Sequence, residues 1–195
     1  MSIKTAIKTS KRQQLLDSAL TLFVNQGIDA TSTASIAKHA GVANGTLFHH
    51  FSSKDILVLT LYKTIKEDFA TQIDTFTFDE NNLKDQVKLI WKQAIDWAIS
   101  NADKQQFCLQ VSQYHQLSGQ VKTQALTEAF EFLPKLITFG QQHNIIANYP
   151  LELMVDIAHG QFMSSTMYLI DNPDLINDSI HREAIFEMFW KSLSL

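Results

Sequence analysis

Residues 41–51 read GVANGTLFHHF, and Asn44 to His50 place an amide, a hydroxyl and two imidazoles around a glycine. Three kinds of chemistry are open to them. Asn-Gly between apolar residues favours a two-residue hairpin, because both residues tolerate positive φ. Asn44-Gly45-Thr46 also fits the N-glycosylation acceptor pattern. Finally, the same residues could open a short helix whose N-terminus comes very close to another molecule. His39, His49 and His50 raise the question of a metal. Adjacent histidines are hard to aim at one ion, however, and no cysteine or acidic partner stands close in sequence, so no metal is expected.

The elements around this stretch bear on the choice. Leu16, Ala19, Leu20 and Phe23 recur at helical spacing from about Lys11, and Gly27 suits the C-cap of that helix. Ser32 is a good N-cap for a short helix carrying Ile36, Ala37 and Ala40, which Gly41 ends. A second short helix would hold Leu47 and Phe51 on its core face. Ser52 with Asp55 fits a capping box opening a long fourth helix. The layout is a helix-turn-helix.

Farther along, Leu83, Val87, Ile90, Ala94 and Trp97 keep helical spacing to about residue 100, and a shorter helix is expected over 104–115. The stretch 120–143 is helical by composition, with a kink expected at Pro134, which lacks a backbone donor. Pro150 suits the first position of the next helix, Pro173 marks its end near residue 171, and a last helix is expected over 177–193. No strand-like alternation recurs. The expected fold is therefore all-α with about nine helices. Residues 9–69 would form the helix-turn-helix unit and 70–195 a larger body, joined through the long fourth helix.

Composition narrows the function. The chain of 195 residues has 45% apolar and 18% charged residues, ordinary for a globular protein. It has a single cysteine, Cys108, no apolar segment of spanning length and no signal-like opening, so a cytoplasmic protein with no membrane partner is expected, and glycosylation of Asn44 loses its compartment. Net charge is −4, but residues 1–55 carry six Lys or Arg, including Lys4 and Lys8, against three Asp. The remainder carries ten against seventeen acids. A basic N-terminal unit on an acidic body suggests that the unit meets an anion.

The stretch LLDSALTLFVNQGIDATSTASIAKHAGVANGTLFHHFSSKDIL, Leu15 to Leu57, resembles the TetR family of transcriptional regulators in the order and spacing of its motifs. The resemblance implies a double-stranded DNA operator as partner and a homodimer, with the second helix of the motif in the major groove. On that footing the opening choice resolves as a helix. Gly45 has no side chain to hold the helix end off the duplex, and the free N–H groups of the first turn favour a phosphate. Asn44 can pair with adenine, and Thr46 can bond a phosphate or touch a thymine methyl. The resemblance further implies phosphate contacts from Ser32 and Lys54, and recognition contacts from Thr46, Phe48 and His49. His50 is divided between DNA and packing. Phe48 departs from the family's usual tyrosine, Asn44 stands where a lysine or other polar residue is frequent, and Ala34 where a charged residue is frequent.

Family resemblance also implies that the body binds a small effector. Trp91, Trp97, Phe107, Tyr114, Phe130, Phe139, Met163 and Met167 lie on helices that must converge, and His115 and His159, with Tyr168 and Gln161, are polar groups in apolar surroundings. Together they suggest an aromatic-lined pocket for a mostly apolar effector. Gly160, Ser164 and Ser165 would permit close approach across a dimer axis, with Ile185, Phe186, Phe189 and Trp190 on the last helix covering the other side. Catalysis has little support: G-x-S-x-G, H-E-x-x-H, P-loop, dinucleotide and C-x-x-C patterns are all missing, and no cofactor is expected.

Overall fold

A computed structural model describes residues 10–73 and 79–195 of the chain. Lys4, Lys8 and the first residue of the expected 9–69 unit lie outside the described residues. The described part is all-α, with ten α-helices and one short 3₁₀ turn at Pro173–Leu175.

Local chemistry sets the first four helices. In α1 (Lys11–Gln26) the Ser10 hydroxyl accepts from Gln13 N–H at 3.2 Å, and Gly27, at φ 86, closes the other end by donating to Phe23 O. Ser32 caps α2 (Thr33–His39) by accepting from Ser35 N–H at 3.0 Å. Gly41, at φ 68, turns the chain into α3 (Asn44–His50). Helix α4 (Lys54–Ala70) is capped by Ser53, one residue later than the expected Ser52. Phe51 and Ser53 are both extended, and the carboxylate of Asp55 is engaged elsewhere, as described below.

The body comprises α5 (Leu83–Ser100), α6 (Ala102–Gln113), α7 (Gly119–Ala129), α8 (Phe132–Gln142), α9 (Leu151–Asp171) and α10 (Ser179–Leu193). The kink expected at Pro134 is instead a full break at Phe130–Glu131, which raises the helix number from nine to ten. A continuous helix would require Pro134 to donate to Phe130 O, which it cannot do. With α8 starting at Phe132, Pro134 falls in the first turn, where N–H groups have no intrahelical acceptor in any case. Pro150 likewise sits one position earlier than expected, as the N-cap of α9.

Helices α1 to α4 enclose Leu15, Leu16, Phe23, Ile36, Leu47, Phe51 and Leu57, and α9 packs against α5, α6, α8 and α10. The apolar core runs without interruption between the two parts. Phe23 of α1 stacks on Phe107 of α6 at 5.7 Å, and α4 packs against α6 and α7.

Candidate nucleic-acid interface and ligand cavity

At one end of the molecule α3 presents two faces. Leu47 and the following Phe51 are buried, whereas Asn44, Gly45, Phe48 and His49 are exposed and Thr46 and His50 half-buried. No side chain caps α3, so its first N–H groups are not claimed by a capping hydroxyl or carboxylate. A Cβ built at Gly45 would meet no atom within 4 Å. The protein's own packing therefore places no demand for glycine there, and the bare position serves the outer surface. His50 is drawn inward by ring contacts to Phe51 at 6.3 Å and His49 at 5.3 Å.

Ser32 and Lys54 flank this surface. The Ser32 hydroxyl accepts the capping bond of α2, while the Lys54 ammonium donates to Asp29 O at 3.1 Å, which pins the start of α4 beside the loop leading to Ser32. Arg12 lies 5.4 Å from the centroid of the Phe51 ring. Lys11, Lys38 and His39 of the same unit are exposed.

Helix α4 leaves this face and runs into the body. The phenol of Tyr114, at the end of α6, donates to Asp55 in the first turn of α4 at 2.7 Å. Burial, and then the Asp55 bond, raises the Tyr114 phenol above its ordinary value, so it remains a donor at neutral pH. Ion pairs from Lys63 to Glu128 and from Lys104 to Asp68 tie the rest of α4 to α7 and α6.

The far end of α4 forms one wall of an apolar cavity of about 90 Å³. Phe69 meets Phe162 at 5.5 Å and Phe130 at 5.0 Å, and Trp91 stacks on Phe189 at 4.1 Å. Val87, Ile90, Phe132 and His159 add to the lining. The buried Trp91 Nε1–H has no hydrogen-bond partner among the described residues. His159 is held neutral: burial first, and the Lys66 ammonium second, depress it to about 3.

Of the pocket residues expected from sequence, the structure brings Trp91, Phe130 and His159 to this cavity and places the others elsewhere. Trp97 is one ring removed, stacked on Phe69 at 4.6 Å. Phe107 is committed to the α1–α6 contact, and Tyr114 to Asp55. His115 is exposed, and Phe139 packs on His143 at 4.2 Å. Met163 accepts from the buried Gln105, and Met167 is half-buried outside the cavity. Helical spacing signals a buried face but does not say which neighbour covers it, so Phe69, Phe162 and Phe189 were missed. Val87, Ile90 and Ala94 share the face of Trp91 and carried the signal.

The expected dimer surface also divides. Phe186, Phe189 and Trp190 are buried within the protomer, where Phe186 stacks on Trp190 at 6.5 Å, and Phe189 also lines the groove between α9 and α10. Gly160 and Ser164 are exposed, Ser165 and Ile185 half-buried. The outer faces of α9 and α10 instead expose Leu153, Ile157, Tyr168, Ile180 and Met188. Between these helices runs a groove of about 410 Å³ lined by Gln161, Ser164, Ser165, Tyr168, Ile185 and Met188, among others.

With this geometry in hand, comparison with known proteins is informative. The pattern described as bacterial regulatory proteins, tetR family, matches residues 15–61. A solved tetR family transcription regulator from Shewanella sp. PV-4 is 39% identical over 96% of this chain and 100% of its own, with a TM-score of 0.89. The chain belongs to the TetR family of transcription regulators. Among curated relatives, the HTH-type transcriptional repressor KstR2 of Rhodococcus jostii is 41% identical over 64 residues, 33% of this chain and 31% of its own length. Nucleoid occlusion factor SlmA of Salmonella paratyphi B is 32% identical over 91 residues, 46% of each chain. The chain thus spans about a third to a half of these curated relatives.

Proposed function

We propose that the protein is a cytoplasmic homodimeric repressor that binds a pseudo-palindromic operator and is released by a small, mostly apolar effector. The observation that carries this reading is the reach of α4: one rigid element begins at Lys54 beside α3 and ends with Phe69 in the cavity wall. An occupant of the cavity pushes on Phe69, tilts α4 and changes the spacing of the two α3 helices in the dimer. DNA with half-sites about one helical turn apart, roughly 34 to 36 Å, discriminates against the altered spacing. A coupling of about 1 to 3 kcal/mol is typical and corresponds to roughly 5 to 150 fold weaker operator binding at saturation.

The DNA contacts in this reading come from Asn44, Thr46, Phe48 and His49 on α3, with Ser32 and Lys54 on phosphates and His50 in a supporting position. Gly45 allows the approach. The dimer forms through the exposed faces of α9 and α10, whose apolar side chains are rimmed by polar ones. The test is a random-oligonucleotide selection at low salt, followed by sedimentation of the protein alone and operator titration with and without apolar and aromatic compounds. A symmetric motif, a dimer and at least one compound that weakens operator binding are expected. An asymmetric motif or a monomer would overturn the dimeric reader. Compounds that quench tryptophan yet leave operator affinity unchanged, one after another, would reduce the body to a dimerisation scaffold.

A further inference from the structure

Lys66 occupies the inner face of α4, four residues after Tyr62 and three before Phe69, on a stripe that is otherwise apolar. It is 2% exposed. A lysine so placed ordinarily extends its ammonium to water or pairs it with a carboxylate. Lys66 does neither. Its Nζ lies 3.4 Å from His159 Nε2, 5.3 Å from the Tyr62 ring centroid and 5.9 Å from that of Phe130. No carboxylate pairs with it among the described residues, and Asp68 and Glu128 are engaged elsewhere, with Lys104 and Lys63.

Tyr62, Cys108 and His159, the titratable groups that interact with it, supply no countercharge, and Asp156 of the adjoining recess forms no ion pair with it. Burial raises the Tyr62 phenol and the Cys108 thiol above their ordinary values, and His159 is depressed, so all three are neutral at pH 7. A buried cation among neutral groups retains an unmet demand for an anion.

Its position suits a ligand. His159 lines the apolar cavity on one side and, on the other, a polar recess of about 300 Å³ whose walls include Tyr62, Ser112, Thr123, Lys122 and Asp156. The Lys66 ammonium lies behind the wall the two chambers share, 3.4 Å from His159, which lines both, and 5.3 and 5.9 Å from the rings of Tyr62 of the polar recess and Phe130 of the aromatic chamber. The buried Trp91 Nε1–H is a further donor without a partner among the described residues, on a ring that lines both the aromatic chamber and a groove beside Lys88 and Arg182. One positive charge without a carboxylate partner selects an acceptor carrying one negative charge.

We infer that the effector is a monoanionic organic acid, with its carboxylate on Lys66 and a compact apolar body against the rings of Trp91 and Phe162. This rests on the effector reading above and names the chemical class that the cavity takes. The ring pocket alone selects by size and apolarity, and the buried ammonium makes the choice among apolar bodies that fit.

Three probes with one body and different heads test this: 3-phenylpropanoate, 3-phenylpropan-1-ol and 3-phenylpropan-1-amine, titrated at pH 7 into the full-length protein by calorimetry and tryptophan fluorescence. The wild-type protein should bind the acid about 10 to 100 fold more tightly than the alcohol, the span expected of a hydrogen bond to a charged group, and the amine least tightly. Lys66→Met, and Lys66→Gln as a second neutral variant, should bring acid and alcohol to within a factor of about three while leaving the alcohol unchanged. Alcohol binding equal to acid binding in the wild-type protein, or an acid preference surviving both substitutions, would overturn the inference and leave the effector reading intact. Failure of all three probes to bind would overturn the inference, and the effector reading would stand or fall on the wider compound titration. An acid that binds through Lys66 without changing operator affinity would sustain the acid site and overturn only its regulatory role.

Discussion

Removing one hydroxyl, with Tyr114→Phe, should loosen the joint between the DNA-reading end and the body. The phenol donates to Asp55 at 2.7 Å, across 59 residues of sequence, and it is the direct link found between the first turn of α4 and the end of α6. Tyr114 is 5% exposed, so phenylalanine keeps the packing of the ring and deletes only the bond. A hydrogen bond to an ionised carboxylate contributes about 1.5 to 3 kcal/mol where water is excluded. Asp55 is half-buried and water can replace part of the loss, so about 1 to 2 kcal/mol is expected. For a chain of this length that lowers Tm by about 2 to 8 °C, measured at one fixed protein concentration. The raised folded value of Tyr114 means that its contribution is complete below its unfolded value of 10.0 and is lost as pH climbs through the higher folded one, so the effect should be flat between pH 6 and 8. A double-mutant cycle with Asp55→Ala isolates the pair. A Tyr114→Phe loss under about 0.5 kcal/mol, or a coupling energy near zero in the cycle, would show that the contact contributes nothing and that the joint is held by packing alone.

Other perturbations address the remaining parts. His159 is depressed from 6.5 to about 3 in the fold, so stability should fall as pH drops from 6.5 toward 3, by up to about 1.4 kcal/mol per pH unit, because the unfolded chain takes a proton that the native one refuses. His159→Gln should flatten that limb in urea titrations; parallel wild-type and variant curves would refute the assignment. Gly140→Ala would put a Cβ 2.6 Å from both Cδ1 and Cγ1 of Ile146, inside a contact where Ile146 is 1% exposed, and should destabilise by about 1 to 3 kcal/mol, with a smaller loss when introduced into an Ile146→Ala background. An unchanged Tm would show that the α8 backbone yields there. Lys54→Ala should weaken every DNA sequence alike and reduce the salt slope by about one, whereas His49→Ala should cost about 1 to 3 kcal/mol at its own base step. A changed sequence preference in Lys54→Ala would remove it from the phosphate-positioning role.

Much of the N-terminal unit was legible before any coordinates because its determinants are local. Ser32 and Gly27 announce helix ends through bonds that span three or four residues, and Leu47 and Phe51 declare the inner face of α3 by spacing alone. The same locality sufficed for the class of the whole chain: helical periodicity without strand alternation yields helices, and Pro134 and Pro173 mark interruptions wherever the chain later folds. Even Lys66 could have been noticed as a charge on an apolar stripe.

What helical spacing does not carry is the identity of the neighbour. Phe107 and Trp91 have equally good helical credentials, yet one stacks on Phe23 of α1 and the other on Phe189 of α10, because the crossing of α5, α6 and α9 decides which face meets which. The cap of α4 fell at Ser53 rather than Ser52, and the Asp55 that would have completed a capping box was engaged by Tyr114 from another helix. Phe186, Phe189 and Trp190 point around α10, which signals cover on several sides, and only the packed protomer revealed that its own helices supply that cover. The unpaired charge of Lys66 is of the same kind. A lysine's countercharge depends on which carboxylates come within a few ångströms in three dimensions, and that distance is set by tertiary packing rather than by position along the chain.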